Sequence, residues 1–254
     1  MENEQKRIHH CVDRVVPFEA EEEVKRLAIE ENPANAIEET PDRTRIAVER
    51  RKLWRPGRTL QIRFMDGSET QRRRVVEHAR EWTKHANLRF DFGDHPEAQI
   101  RVSFTFDPEG SWSAVGTDAL HRPSFPLNEP TMSLGWLEDD TDDREYSRIV
   151  LHEFGHAIGC IHEHQTPIGG LRWNREAVYA FYAAPPNRWS RDEVDEQVIS
   201  KYAKSEIRGT AFDPDSIMLY EFPAELLQDG KGTHENHKLS PGDIAFISSV
   251  YPFP

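Results

Sequence analysis

Residues 150–165 read VLHEFGHAIGCIHEHQ, four histidines and two glutamates in sixteen positions that are otherwise largely apolar. The wider stretch EYSRIVLHEFGHAIG (145–159) has the pattern of a long helix. On such a helix His152 and His156 leave the same face one turn apart, so two imidazole nitrogens can reach one ion at about 2.0–2.1 Å. Glu153 is rotated away from direct ligation but within reach of a water at that ion. Gly159 tolerates the left-handed backbone that stops a helix and turns the chain back, and His162 can then point at the same ion. The full spacing is HExxHxxGxxH. By composition it arises by chance in on the order of one chain in ten thousand.

Outward from this stretch the chain divides in two. Residues 1–46 read as an N-terminal accessory or prosegment-like region, with one short acidic helix ending before Pro33 and then a polar linker. Residues 47–254 read as a catalytic domain, with an upper lobe over about 50–160 and a lower lobe over about 161–254. LQIRFMD (60–66), LRFDF (88–92) and QIRVSFTF (99–106) alternate like strands, and SWSAVG (111–116) and TMSLGWL (131–137) are further strand candidates. SETQRRRVVEHAREWTKHA (68–86) is amphipathic, with Val75, Val76, Ala79, Trp82 and Ala86 near one face. Helical pattern returns around 174–184 and 190–204. SPGDIAFISSVY (240–251) closes the chain as a helix, with Ser240 as N-cap and Pro241 at the first helical position. The expected fold is α+β, a twisted mixed sheet with two long helices above an irregular, mostly helical lower lobe.

Composition narrows the function classes. The 254 residues carry a formal net charge of -13, which argues against nucleic acid as a partner. No apolar run approaches the length of a membrane span, and the N-terminus has no apolar signal core. The expectation is a cytoplasmic protein, or one exported by a route that needs no signal peptide. Cys11 and Cys160 are the only cysteines, too few for a disulfide framework. Residues 41–80 hold twelve Arg and Lys against five Asp and Glu, and EDDTDD (138–143) is acidic. Both read as solvated faces, with a substrate-guiding patch or a calcium loop as the alternatives.

The histidine spacing resembles that of the metzincin zinc peptidases, and within them the astacin family. Astacins place a glutamate after the third histidine, as Glu163 stands here. They also carry a methionine turn of the form SxMxY, matched by Met218 and Tyr220 in DSIMLY (215–220). GSWSAVGTD (110–118) resembles the segment before the family's edge strand, TMSLGWL the edge strand that pairs with an extended substrate, and LSPGDIAFISSVYP (239–252) the closing helix. The likeness spans about residues 50–252 and is to bacterial or fungal relatives, because Ser111 stands where a half-cystine is usual. FGD at 92–94 lies inside the catalytic lobe and is set aside as an inhibitory motif.

The resemblance implies one catalytic Zn2+ held by His152, His156 and His162, with Tyr220 as a fifth ligand or transition-state donor. It makes Met218 a packing base, and Glu163 the link to a new N-terminus unless it is simply an exposed charge. A zinc-dependent metalloendopeptidase follows, with Glu153 as general base and a peptide or protein substrate bound extended by a monomer. Two rivals remain at this stage: a zinc hydrolase of non-peptide amides or esters, and a latent binding module on the same fold. Cys11, in HHCVDR, is either a small cysteine or a thiolate occupying the open zinc position. Cys160 reads as packing, and His164 as facing away from the ion.

Overall fold

The computed structural model describes residues 11, 14, 16–36, 46–49, 52–108, 110–166, 169–185, 187–200, 207–209 and 212–254. Five strands form the main sheet: β2 (Thr59–Phe64), β3 (Arg89–Phe92), β4 (Ile100–Ser103), β5 (Ser111–Ser113) and β6 (Met132–Leu134). Their order is β3-β2-β4-β6-β5. All neighbours run parallel except β5, which is antiparallel to β6. Strand β1 (Ile46–Glu49) lies outside this sheet and pairs with β7 (Ile207–Gly209) as a separate two-stranded ribbon.

Two long helices pack on the sheet. Helix α2 (Glu69–Thr83) starts at a capping box: Ser68 accepts from the Gln71 amide, and the Gln71 side chain accepts from the Ser68 amide. Val75, Ala79 and Trp82 give it a buried stripe. Helix α3 (Asp143–Ala157) starts under an Asp142 cap and is buried along its last two turns. The Trp82 indole donates to the Leu151 carbonyl at 2.9 Å and ties the two helices together. Phe154 of α3 packs on Phe90 and Phe92 of β3. The acidic stretch 138–143 leads into α3, and α2 meets its charge. Arg74 donates to the Thr141 carbonyl at 2.7 Å and to Asp143 at 3.3 Å, and His78 lies 3.1 Å from Asp143. Arg74 and His78 of α2 thus bind the acidic stretch where it enters α3.

The expected edge strand is corrected by the topology. TMSLGWL contributes β6, which is paired on both sides, by β4 and by β5. The antiparallel edge is β5, from SWSAVG. Alternation marks both segments as strands, but strand order is a long-range property that alternation does not encode.

After α3 the chain forms α4 (Arg175–Ala183), α5 (Arg191–Val194) with a π turn over Asp195–Ile199, and α6 (Pro241–Val250). The expected helix over 190–204 is thus α5 and its π turn, and 201–206 lie outside the described residues. Ser190 with Glu193 and Ser240 with Asp243 form further capping boxes at α5 and α6.

At the N-terminal side, α1 (Glu21–Glu31) packs on the 3-10 turn Gly116–Leu120. Asn35 accepts from the Leu53 amide at 3.2 Å and donates to the Leu53 carbonyl at 2.8 Å. Asn32 donates to the Trp54 carbonyl at 3.1 Å. Both asparagines are buried, so this region is joined to the body by satisfied buried amides.

Candidate metal centre

The last turns of α3 carry His152, Glu153 and His156, all buried. The helix stops as expected. Gly159 has φ +101°, its amide bonds the His156 carbonyl at 2.8 Å, and the Cys160 amide bonds the Gly155 carbonyl at 2.9 Å. The turn directs His162 back toward the helix. His156 Nε2 lies 3.1 Å from His152 Nε2 and 3.0 Å from His162 Nε2.

Two ring orientations are fixed from behind. His152 Nδ1 is 2.9 Å from the Ile217 carbonyl, and His156 Nδ1 is 2.9 Å from the Cys160 carbonyl. A carbonyl only accepts, so both Nδ1 atoms carry the proton and both Nε2 atoms present lone pairs. Burial, then the His156 and His162 rings, hold the His152 pKa well below its ordinary value, so that ring is neutral. Lone pairs facing one another at about 3 Å repel, and a cation between them removes the conflict. Tetrahedral zinc with bonds of about 2.05 Å spaces its nitrogens by about 3.3 Å, close to what these rings adopt. The donor set therefore fits zinc.

A fourth donor comes from far away in sequence. The Cys11 thiol and the three imidazoles place their ligand atoms within 4.8 Å of one another. The thiol also lies 3.4 Å from the Glu153 carboxylate. Sequence alone left Cys11 open; the fold carries it 142 positions to Glu153. Tyr220 reaches the same spot: its hydroxyl donates to the Cys11 carbonyl at 2.7 Å and contacts His162 Nε2.

The methionine turn supports the floor. Met218 is buried, and its sulfur packs so closely on Gly155 that a Cβ there would come within 2.5 Å of it. The Met218 carbonyl accepts from the Glu163 amide at 3.0 Å. Glu163 is buried, not the exposed charge that was one expectation. Its carboxylate accepts from the Asp213 amide at 2.8 Å, and burial raises its pKa to about 8. Cys160 packs in the core as expected, where burial pushes its thiol pKa up, while its carbonyl orients His156. His164 does not join the donors. It stacks behind them, with its ring centroid 5.2 Å from those of both His162 and Tyr220. His9 and His10 lie outside the described residues.

Two orienting groups were not legible beforehand, the Ile217 and Cys160 carbonyls, because backbone acceptors leave no residue signature. Asp243 stands behind the first. It accepts from the Ile217 amide at 2.8 Å, the Ser240 amide at 2.9 Å and the Ser216 hydroxyl at 2.7 Å. Among the described residues no helix is long and apolar enough to cross a membrane.

A sequence profile described as Astacin, a peptidase family, matches residues 46–234. Two solved structures of myroilysin are similar. One is 41% identical, covers 82% of this chain and 99% of its own, and superposes with a TM-score of 0.78. The other is 35% identical, covers 96% and 100%, and has a TM-score of 0.60. The hatching-enzyme zinc protease HCE-1 of the medaka fish Oryzias latipes shares the fold at 18% identity, with 80% and 96% coverage and a TM-score of 0.54. A search of curated protein sequences finds no match. Because the family profile spans most of the chain and a 41%-identical relative aligns along nearly its whole length, the chain belongs to the astacin family and is a zinc metalloendopeptidase.

Proposed function

We propose that His152, His156 and His162 hold the zinc through Nε2, that Glu153 is the general base, and that Cys11 closes the fourth position so that the intact chain is latent. The single observation that supports this most is the convergence of one thiol and three imidazoles beside a buried carboxylate. When bound, zinc supplies a Lewis acid that polarises a peptide carbonyl and lowers the pKa of water to about 7. Glu153 takes a proton from the attacking water and returns it to the leaving amine. Tyr220 donates to the carbonyl oxygen of the scissile peptide as charge builds there; its bond to the Cys11 carbonyl supports this, since the group it meets is itself a peptide carbonyl. Met218 and the Ile217 and Cys160 carbonyls keep the rings in place.

Glu153→Gln tests the base. The variant keeps its zinc and loses peptide cleavage by at least about a hundredfold; cleavage at the parental rate refutes the assignment. Cys11→Ala tests latency, and raises cleavage in the intact chain. An intact chain already fully active with Cys11 present refutes the closed fourth position.

A further inference from the structure

The segment that carries Cys11 also shows what the neighbouring surface accepts. Three residues on, the Arg14 guanidinium carbon lies 4.1 Å from the centroid of the Trp112 ring and 5.9 Å from that of Phe106. The two rings are 6.1 Å apart and nearly perpendicular, at 75°. Trp112 belongs to β5, the antiparallel edge strand, and its indole donates to Asp107 Oδ2 at 3.2 Å. That bond fixes which face of the indole is presented. Phe106 is 45% exposed even with Arg14 beside it. A corner of two aromatic faces is electron-rich on both walls and suits a flat, weakly hydrated cation.

We propose that the Trp112–Phe106 corner is a substrate subsite for an arginine or lysine side chain, which Arg14 fills in the intact chain. This rests on the peptidase reading above. It adds a preference that backbone pairing alone does not provide, since main-chain hydrogen bonds are blind to side chains. The preferred basic residue stands three positions from the residue at the metal, as Arg14 stands from Cys11.

Two measurements decide it. In the intact zinc-loaded chain, the rate at which a thiol reagent labels Cys11 reports how often the segment lifts. Arg14→Gln and Phe106→Ala each speed labelling about two- to fivefold, the range expected for one exposed cation–π contact. The double variant is no faster than the faster single one. Rates equal to the parent, or additive effects, overturn the contact. The second measurement uses the full-length Cys11→Ala, Arg14→Ala chain and peptides that scan one arginine across three positions on either side of the cleaved bond. Each is paired with a peptide carrying citrulline, which keeps the shape and removes the charge. Arginine is preferred about two- to fivefold in kcat/KM at one position, and the ratio falls toward one in Phe106→Ala and Trp112→Leu. Cleavage with equal rates for every pair overturns the subsite while leaving the peptidase reading intact. If no peptide is cleaved, the peptidase reading fails. Binding of the same pairs, followed by tryptophan fluorescence, then still judges the corner, and equal affinities refute it.

Discussion

Asp243 sits at the start of α6, with three hydrogen bonds to a single buried carboxylate. One of its partners is the Ile217 amide, and the carbonyl of that same residue orients His152. Asp243→Ala therefore acts on both stability and the metal. It leaves two buried backbone donors, at Ile217 and Ser240, without an acceptor, at about 1–3 kcal/mol each. The Ser216 hydroxyl can rotate and loses less. The expected loss is about 3–5 kcal/mol in urea unfolding. With residue 217 no longer pinned, zinc affinity measured against a chromophoric chelator drops about tenfold, as for other groups that orient a metal ligand. Asp243→Asn is the control. Its amide oxygen can accept from both backbone donors, while its NH2 donates to Ser216, so it stays within about 1 kcal/mol of the parent. A near-neutral Ala variant, or an Asn variant as damaged as Ala, would refute this account of how α6 supports the site.

Gly155→Ala pits two effects against each other. Alanine gains about 1 kcal/mol of helix propensity, but its methyl meets the Met218 sulfur and Trp82, and overpacking costs about 1–3 kcal/mol. Thermal unfolding should show a net loss of about 1 kcal/mol that becomes a gain in a Met218→Ala background; no dependence on residue 218 would sink the packing argument. Lys52 Nζ pairs with buried Asp118 at 2.8 Å. Lys52→Met strands that carboxylate and costs about 3–5 kcal/mol, most of it recovered by adding Asp118→Asn. The pH sign follows from burial, which already raises the Asp118 pKa above its ordinary value. An acid with a raised folded pKa contributes most below its unfolded value and loses that contribution as pH rises. Lys52 holds that rise back, so Lys52→Met lifts the Asp118 pKa further, and the deficit grows with pH, by up to about 1.4 kcal/mol per unit, between the parent's folded pKa and the variant's; a deficit that shrinks from about pH 5 to about pH 8 would contradict it.

The local features were legible because their rules are local. Helix periodicity brings His152 and His156 to one face, Gly159 supplies the backbone that ends α3, and the Ser68 and Ser240 caps mark where α2 and α6 begin. Each depends on residues within one or two turns, so short-range spacing carries the information. The SxMxY motif likewise pointed to Met218 and Tyr220 through resemblance, although the contact of Met218 with Gly155 depends on how the chain after α3 folds back against that helix.

What the sequence determined by itself was the identity of a zinc-type donor set and the strand and helix segments around it. Tertiary structure decided the rest: that Cys11 meets the three imidazoles, that β5 and not β6 stands at the antiparallel edge of the sheet, and that backbone carbonyls from Ile217 and Cys160 aim the rings. The physical reason is common to all three. Strand order, a thiol brought from the far end of the chain and a carbonyl's direction are set by where the backbone comes to rest. No short-range spacing of side chains specifies that position.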